Sequence, residues 1–140
     1  MFKFHRFSSS YNYSHFNRLN IILVAITLGT YGLNRFFLKP HIDLVFLHNY
    51  FNDVLAGVLL ISSYNIAAHL CNIPKYILVQ PERIFFFTLF VGLFWEYVTP
   101  LYRNDSASDL GDVLAYICGG LLYWLIIMII KVVLNRDNQN

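Results

Sequence analysis

The sequence predicts an all-α integral membrane bundle of four transmembrane helices in one domain. Three observations predict it. Of 140 residues, 57% are hydrophobic and 13% are charged, whereas soluble domains are about 25% charged, and mean hydropathy is +0.51. The apolar residues fall into four runs separated by polar or proline-containing connections. Phe, Tyr and Trp make up 18% of the chain and gather near the ends of those runs, where aromatic belts meet the lipid interface. A soluble chain of this length has too little interior to hide so much apolar surface.

Each run must be helical, because lipid offers no water to backbone polar groups. Residues 1–20 are polar, aromatic and basic, and read as a tail lying at a membrane surface. The first span is 21–38, interrupted by Asn34 and Arg35. A secretory signal peptide is the competing reading, but the run is long and no small-x-small cleavage site follows it. A connection over 40–52 carries an apolar piece too short to span. The second span is 53–71. A turn marked by Pro74 and Pro81 leads to a short third span, 84–98, ended by Pro100. A polar loop precedes the fourth span, 112–134, and 135–140 is a polar tail. Crossing the hydrocarbon core takes about 20 residues, so the shorter runs require snorkelling ends or local thinning. Cys71 and Cys118 lie at different depths and make neither a disulfide framework nor a metal spacing.

Four spans put both tails and the 72–83 turn on one side. That side carries seven basic residues, Lys3, Arg6, Arg18, Lys75, Arg83, Lys131 and Arg136, against three on the other, Arg35, Lys39 and Arg103. The positive-inside rule then places both termini in the cytoplasm. Acids sort oppositely: Asp43, Asp53, Glu96, Asp105, Asp109 and Asp112 fall outside, and only Glu82 and Asp137 fall inside. The expected partner is the lipid bilayer, with self-association a further possibility. Nucleic acid is not expected, since basic residues are scattered and follow the membrane ends.

Asp53 starts the second span, Glu96 ends the third, and Asp112 starts the fourth, with Asp109 in the loop just ahead of it. Antiparallel threading brings them to one depth. Ionisable residues there are functional-site candidates. Asn49 and Asp53 are spaced as helical neighbours, as are Asp109 and Asp112, with Tyr116 and then Gly119 or Gly120 continuing that stripe. Gly57 lies one turn below Asp53, and Gly92 one turn before Glu96. Small residues let membrane helices approach closely, so the acid-bearing faces read as the packed faces. Compensation for the clustered charge has three sources. These are a divalent cation such as Mg²⁺, a basic residue among Arg35, Lys39 and Arg103, or proton sharing. Asp53 and Asp112 also suit plain helix amino-end positions. Glu96 does not, because it sits at a helix carboxyl end, where the dipole disfavours an acid. No nucleophile–base pair, Gly-rich phosphate loop or His-rich zinc motif is present, which ranks enzyme activity last among the readings.

Three stretches, NDVLAGVLL at 52–60, FWEYVTPLY at 94–102 and DLGDVLAYICGG at 109–120, resemble the small VanZ-like membrane proteins. They are closer still to short bacterial chains labelled magnesium citrate secondary transporter. The resemblance covers about residues 45 to 125 and rests on Asp53, Glu96 with Pro100, and Asp109, Asp112, Tyr116 and Gly119. Tyr116 stands where VanZ-like proteins typically carry Asn. The resemblance implies a multi-pass protein of the bacterial inner membrane acting in envelope physiology. Its outer-face site would be Asp53, Glu96, Asp109 and Asp112, supported by Asn49, Asn52, Arg35, Arg103 and Tyr116. Gly57, Gly92, Gly119 and Gly120 would pack the helices. The ligand would be a cation or metal-bridged species. A magnesium/citrate transporter subunit and a structural or assembly subunit are the alternatives.

Overall fold

A computed structural model describes residues 10–98, 101 and 109–137. The helices are α1 (Ser10–Leu33), α2 (Lys39–His41), α3 (Val45–Asn49), α4 (Phe51–Leu70), α5 (Pro81–Val98) and α6 (Leu110–Asp137), with a π-helical turn over Asn34–Leu38 joining α1 to α2. No strand occurs among the described residues. Helical order begins at Ser10, well ahead of the first apolar run. Arg103 and Asp105 lie outside the described residues.

Three helical stretches are long and apolar enough to cross a membrane: Ser14–His41, Phe51–Leu70 and Leu110–Val133. α5 is shorter, at 18 residues, and carries Glu82, Arg83 and Glu96. It nevertheless runs along α6. Gly92 sits against Val113 and Tyr116, while Gly120 sits against Thr88 and Ile84, so the two helices are antiparallel. α4 and α6 are parallel: Gly57 meets Tyr116 and Gly119, and farther along Asn65 meets Tyr123. α1 is antiparallel to α4, since Asn34 bonds Asn52 while Asn20 is linked through Tyr123 to Asn65. α6 packs between α4 and α5, and α1 covers the far side of α4. The sequence suggested three mutually packed acid-bearing helices. In the structure α4 and α5 barely touch, and both pack on α6.

Small and polar groups lie between the helices beside an apolar core of Leu23, Val58, Ile61, Leu78, Ile84, Tyr123 and Ile127. Asn20 and Thr27 on α1 and Asn34, the first residue of the π turn, are buried, at seven-residue steps and so on one stripe. Ser62 and Asn65 are buried on α4, and Thr88 on α5. Meanwhile Phe86 and Phe90 are 66% and 70% exposed. Large apolar groups outside, with small and polar groups between helices, is the arrangement lipid favours. The buried hydroxyls are satisfied locally: Ser62 Oγ donates to the Val58 carbonyl and Thr88 Oγ1 to the Ile84 carbonyl, each at 2.9 Å.

Polar groups also tie the elements together. Asn65 Oδ1 accepts the Leu78 N–H at 2.7 Å, and its Nδ2 donates to the Leu78 carbonyl at 3.0 Å and to Tyr123 Oη at 2.8 Å. Tyr123 donates onward to Asn20 Oδ1 at 2.8 Å. The 71–80 connection is thereby held against the bundle, with Ile77 and Leu78 buried. α4 ends with Asn72 at φ 58, and the Ile73 N–H reaches back to the Ala68 carbonyl at 3.0 Å. This is a Schellman cap, in which Asn tolerates the left-handed position better than most residues. Pro81 then opens α5, where a missing N–H costs nothing.

Candidate functional site

The helix directions sort the charges by end. One end carries Asp43, Asp53, Glu96, Asp109 and Asp112 with Arg35 and Lys39. The other carries Arg18, Lys75, Arg83 and Lys131 with Glu82. We call these the acidic and basic ends.

At the acidic end, α6 starts with Asp109 as its cap. Its Oδ1 accepts the Gly111 N–H at 2.8 Å, satisfying one of the free donors of the first turn. Its Oδ2 accepts the Tyr50 hydroxyl at 3.3 Å. The Tyr50 ring lies over Gly111, where a Cβ would approach ring carbon Cε1 to 2.5 Å, so a side chain at 111 would displace the ring. Glu96, in the last turn of α5, accepts the Asp109 backbone N–H through Oε2 at 2.8 Å. That bond answers the question raised by an acid at a helix carboxyl end. Glu96 faces the amino end of α6, whose dipole favours negative charge.

Asp53 and Asp112 stand just behind this latch, both half-buried. Asp53 lies within electrostatic range of Asp112, Glu96 and Lys39, and Asp112 within range of Glu96 and Asp109. Tyr116 is half-buried beside Asp53, Glu96 and Asp112. Four carboxylates and a phenol therefore share one field. Outside the helical spans, Tyr50 is held above its ordinary 10.0, chiefly by the charge of Asp109 and then by their hydrogen bond. Among the described residues, no three His, Cys, Asp or Glu side chains are grouped so as to hold a metal ion.

The supporting residues divide. Asn49 ends α3 and is exposed, one turn apart from the start of α4. Tyr50, not Asn49, supplies the first contact, accepting the Asp53 and Val54 N–H groups at its carbonyl, both at 3.1 Å. Asn52 faces α1, where its Oδ1 accepts Asn34 Nδ2 at 2.9 Å. Asn34 also donates to the Leu47 carbonyl at 3.3 Å, and its own buried Oδ1 has no partner. Arg35 is exposed on the π turn. Lys39 donates to the His48 carbonyl at 2.7 Å and lies within electrostatic range of Asp53.

Below the carboxylates the helices close. A Cβ on Gly57 would overlap the Tyr116 carbonyl oxygen, and one on Gly119 the Val54 carbonyl oxygen. A Cβ on Gly120 would lie 2.6 Å from Thr88 Cγ2. Gly92 has more room, 3.3 Å to Val113. Tyr50 and the Asn20–Tyr123–Asn65 chain were missed in the sequence. Tyr50 carries a usable signal, one helical turn before Asp53. The chain does not, because its partners are 103 and 58 residues apart. Comparison with known proteins finds no matching family model, curated protein or solved structure.

Proposed function

We propose that the chain is a four-span protein of VanZ-like type in the bacterial inner membrane, with both termini cytoplasmic. On this reading α5 is the third of four spans, supported by its antiparallel packing along α6. The acidic end binds a cation or a metal-bridged ligand in envelope physiology. The observation that carries this reading is that Asp53, Glu96, Asp109 and Asp112 meet at one end of the bundle, with Glu96 on the Asp109 N–H and Asp53 and Asp112 within electrostatic range of Glu96. The ligand we have in view is a hydrated ion or a ligand-borne cation, held by charge and through water. Mg²⁺ suits this, because it keeps several waters and binds through one or two carboxylates.

A structural role is the second reading, favoured by the Glu96–Asp109–Tyr50 latch. One experiment separates the two. Thermal stability of the detergent-purified protein is measured against Mg²⁺, Ca²⁺, Mn²⁺ and citrate, alone and combined, in wild type and Glu96→Gln. A ligand bound only by the folded state raises the midpoint with concentration. The ligand reading expects a saturable shift that Glu96→Gln loses. No shift, with Glu96→Gln itself less stable, leaves the latch as the role of these acids.

A further inference from the structure

The basic end presents a surface that the acidic-end reading does not use. Arg18, Lys75 and Arg83 are exposed there, and Lys131 is half-buried one turn beyond Ile127. Ile127 shares a core cluster with Leu78 and Ile84, so α6 brings Lys131 to the same end as the 71–80 connection and the start of α5. Arg83 Nη1 donates to the Lys75 carbonyl at 3.4 Å, which sets the two cationic residues side by side. Their spacing rests on a fixed backbone. Asn65 grips both polar groups of Leu78, and the cap at Asn72 fixes the departure from α4. Acids at this end are few: Glu82 opens α5, and α6 ends at Asp137.

The surroundings of Lys75 are apolar. Leu70 is 76% exposed and Ile73 and Tyr76 are also open. A partner must therefore offer negative charge level with Lys75 and Arg83 and hydrocarbon beside Leu70 and Ile73. A soluble anion offers only the first. An acidic phospholipid offers both, and basic residues between helices at the membrane surface recognise such head groups. Tyr76 fits the same boundary, where a ring with one polar end is at home.

We propose that Lys75 and Arg83, at the end of the bundle that also carries Arg18 and Lys131, form a binding surface for the head group of an acidic phospholipid. The test uses the full chain in a neutral detergent. Phosphatidylglycerol, phosphatidylcholine and inorganic phosphate are titrated separately, with binding read by native mass spectrometry and by the thermal midpoint. Phosphatidylglycerol is expected to bind and raise the midpoint, with phosphatidylcholine and phosphate giving little. Lys75→Gln/Arg83→Gln is expected to weaken phosphatidylglycerol roughly ten- to thirty-fold, at about five-fold per surface charge. Arg83→Lys, which keeps the charge, and Arg35→Gln, at the opposite end, should bind as wild type. They also report folding if the double variant is unstable. Equal response to phosphatidylcholine, reproduction of the effect by phosphate, or full retention by the double variant overturns the proposal. The Glu96→Gln variant should keep its lipid response, so failure at one end is distinguishable from failure at the other.

Discussion

Asn65 holds more of this fold than its size suggests. One amide satisfies both backbone groups of Leu78 and meets Tyr123, all within a buried environment. Truncation strands several polar groups at once, and each unsatisfied group costs about 1–3 kcal/mol. Asn65→Ala should therefore destabilise the protein by about 2–3 kcal/mol in reversible unfolding, and should expose the 71–80 connection to protease before the helices. Tyr123→Phe removes the donor to Asn20 and the acceptor for Asn65 but keeps the ring. About 1–2 kcal/mol is expected, the range of interhelical hydrogen bonds in membranes. Tyr50 supports a pH prediction. Its hydroxyl proton is held by Asp109, so its ionisation lies above 10.0 in the folded state. The sign follows: the contact contributes below pH 10 and is lost as pH rises through the folded value. A difference absorbance titration of wild type against Tyr50→Phe should show that one phenol titrating late. Asp109→Asn should bring it back toward the ordinary value.

Elements show how far spacing alone reaches. The four-residue steps from Asp53 to Gly57 and from Glu96 to Gly92 placed glycine on the faces that meet α6. Spacing did not give relative tightness, which depends on where helices cross. Gly57 and Gly119 sit where α4 and α6 touch backbone to backbone, whereas a Cβ on Gly92 would stand 3.3 Å from Val113 Cα and Cγ1. Gly119→Ala should separate α4 from α6 and cost about 1–3 kcal/mol, the range for overpacking. Gly29 on α1 has open space, so Gly29→Ala should be neutral or stabilise by about 0.4–1 kcal/mol through the unfolded chain. Thermal midpoints of the two variants, moving in opposite directions, check the assignment of packed and lipid-facing sides. The rotation of α1 was not legible. Its inward stripe of Asn20, Thr27 and Asn34 is polar, and polarity marks the outside of a soluble helix but the inside of a membrane one. The widened turn at Asn34–Leu38 has no simple residue signature either, because proline comes only at Pro40, past its end.

The whole molecule is polarised, with acids at one end and bases at the other, and the chain achieves this by alternating direction through α1, α4, α5 and α6. The segregation was legible because charge position and helix order are both one-dimensional properties. The convergence of Glu96 with Asp109 was expected from the threading, but not the bond that joins them, in which the carboxylate accepts the backbone N–H at the start of α6. Polarity of this kind makes orientation testable without knowing the ligand. On the four-span reading, α5 crosses despite its 18 residues, about 27 Å at 1.5 Å per residue. That length falls just short of the roughly 30 Å hydrocarbon core, and Arg83 and Glu96 near its ends must reach toward water. The consequence is specific. Single cysteines at Lys75 and at Asp43, in a background lacking Cys71 and Cys118, should react with a membrane-impermeant maleimide from opposite faces. Lys75→Cys should label in inverted vesicles and Asp43→Cys in intact cells. A cysteine at Asp109 should label with the Asp43 position if α5 crosses. Labelling of position 109 from the same face as position 75 would rule out α5 as a span and, with it, the parallel packing of α4 on α6 that puts Asp109 at the same end as Asp53.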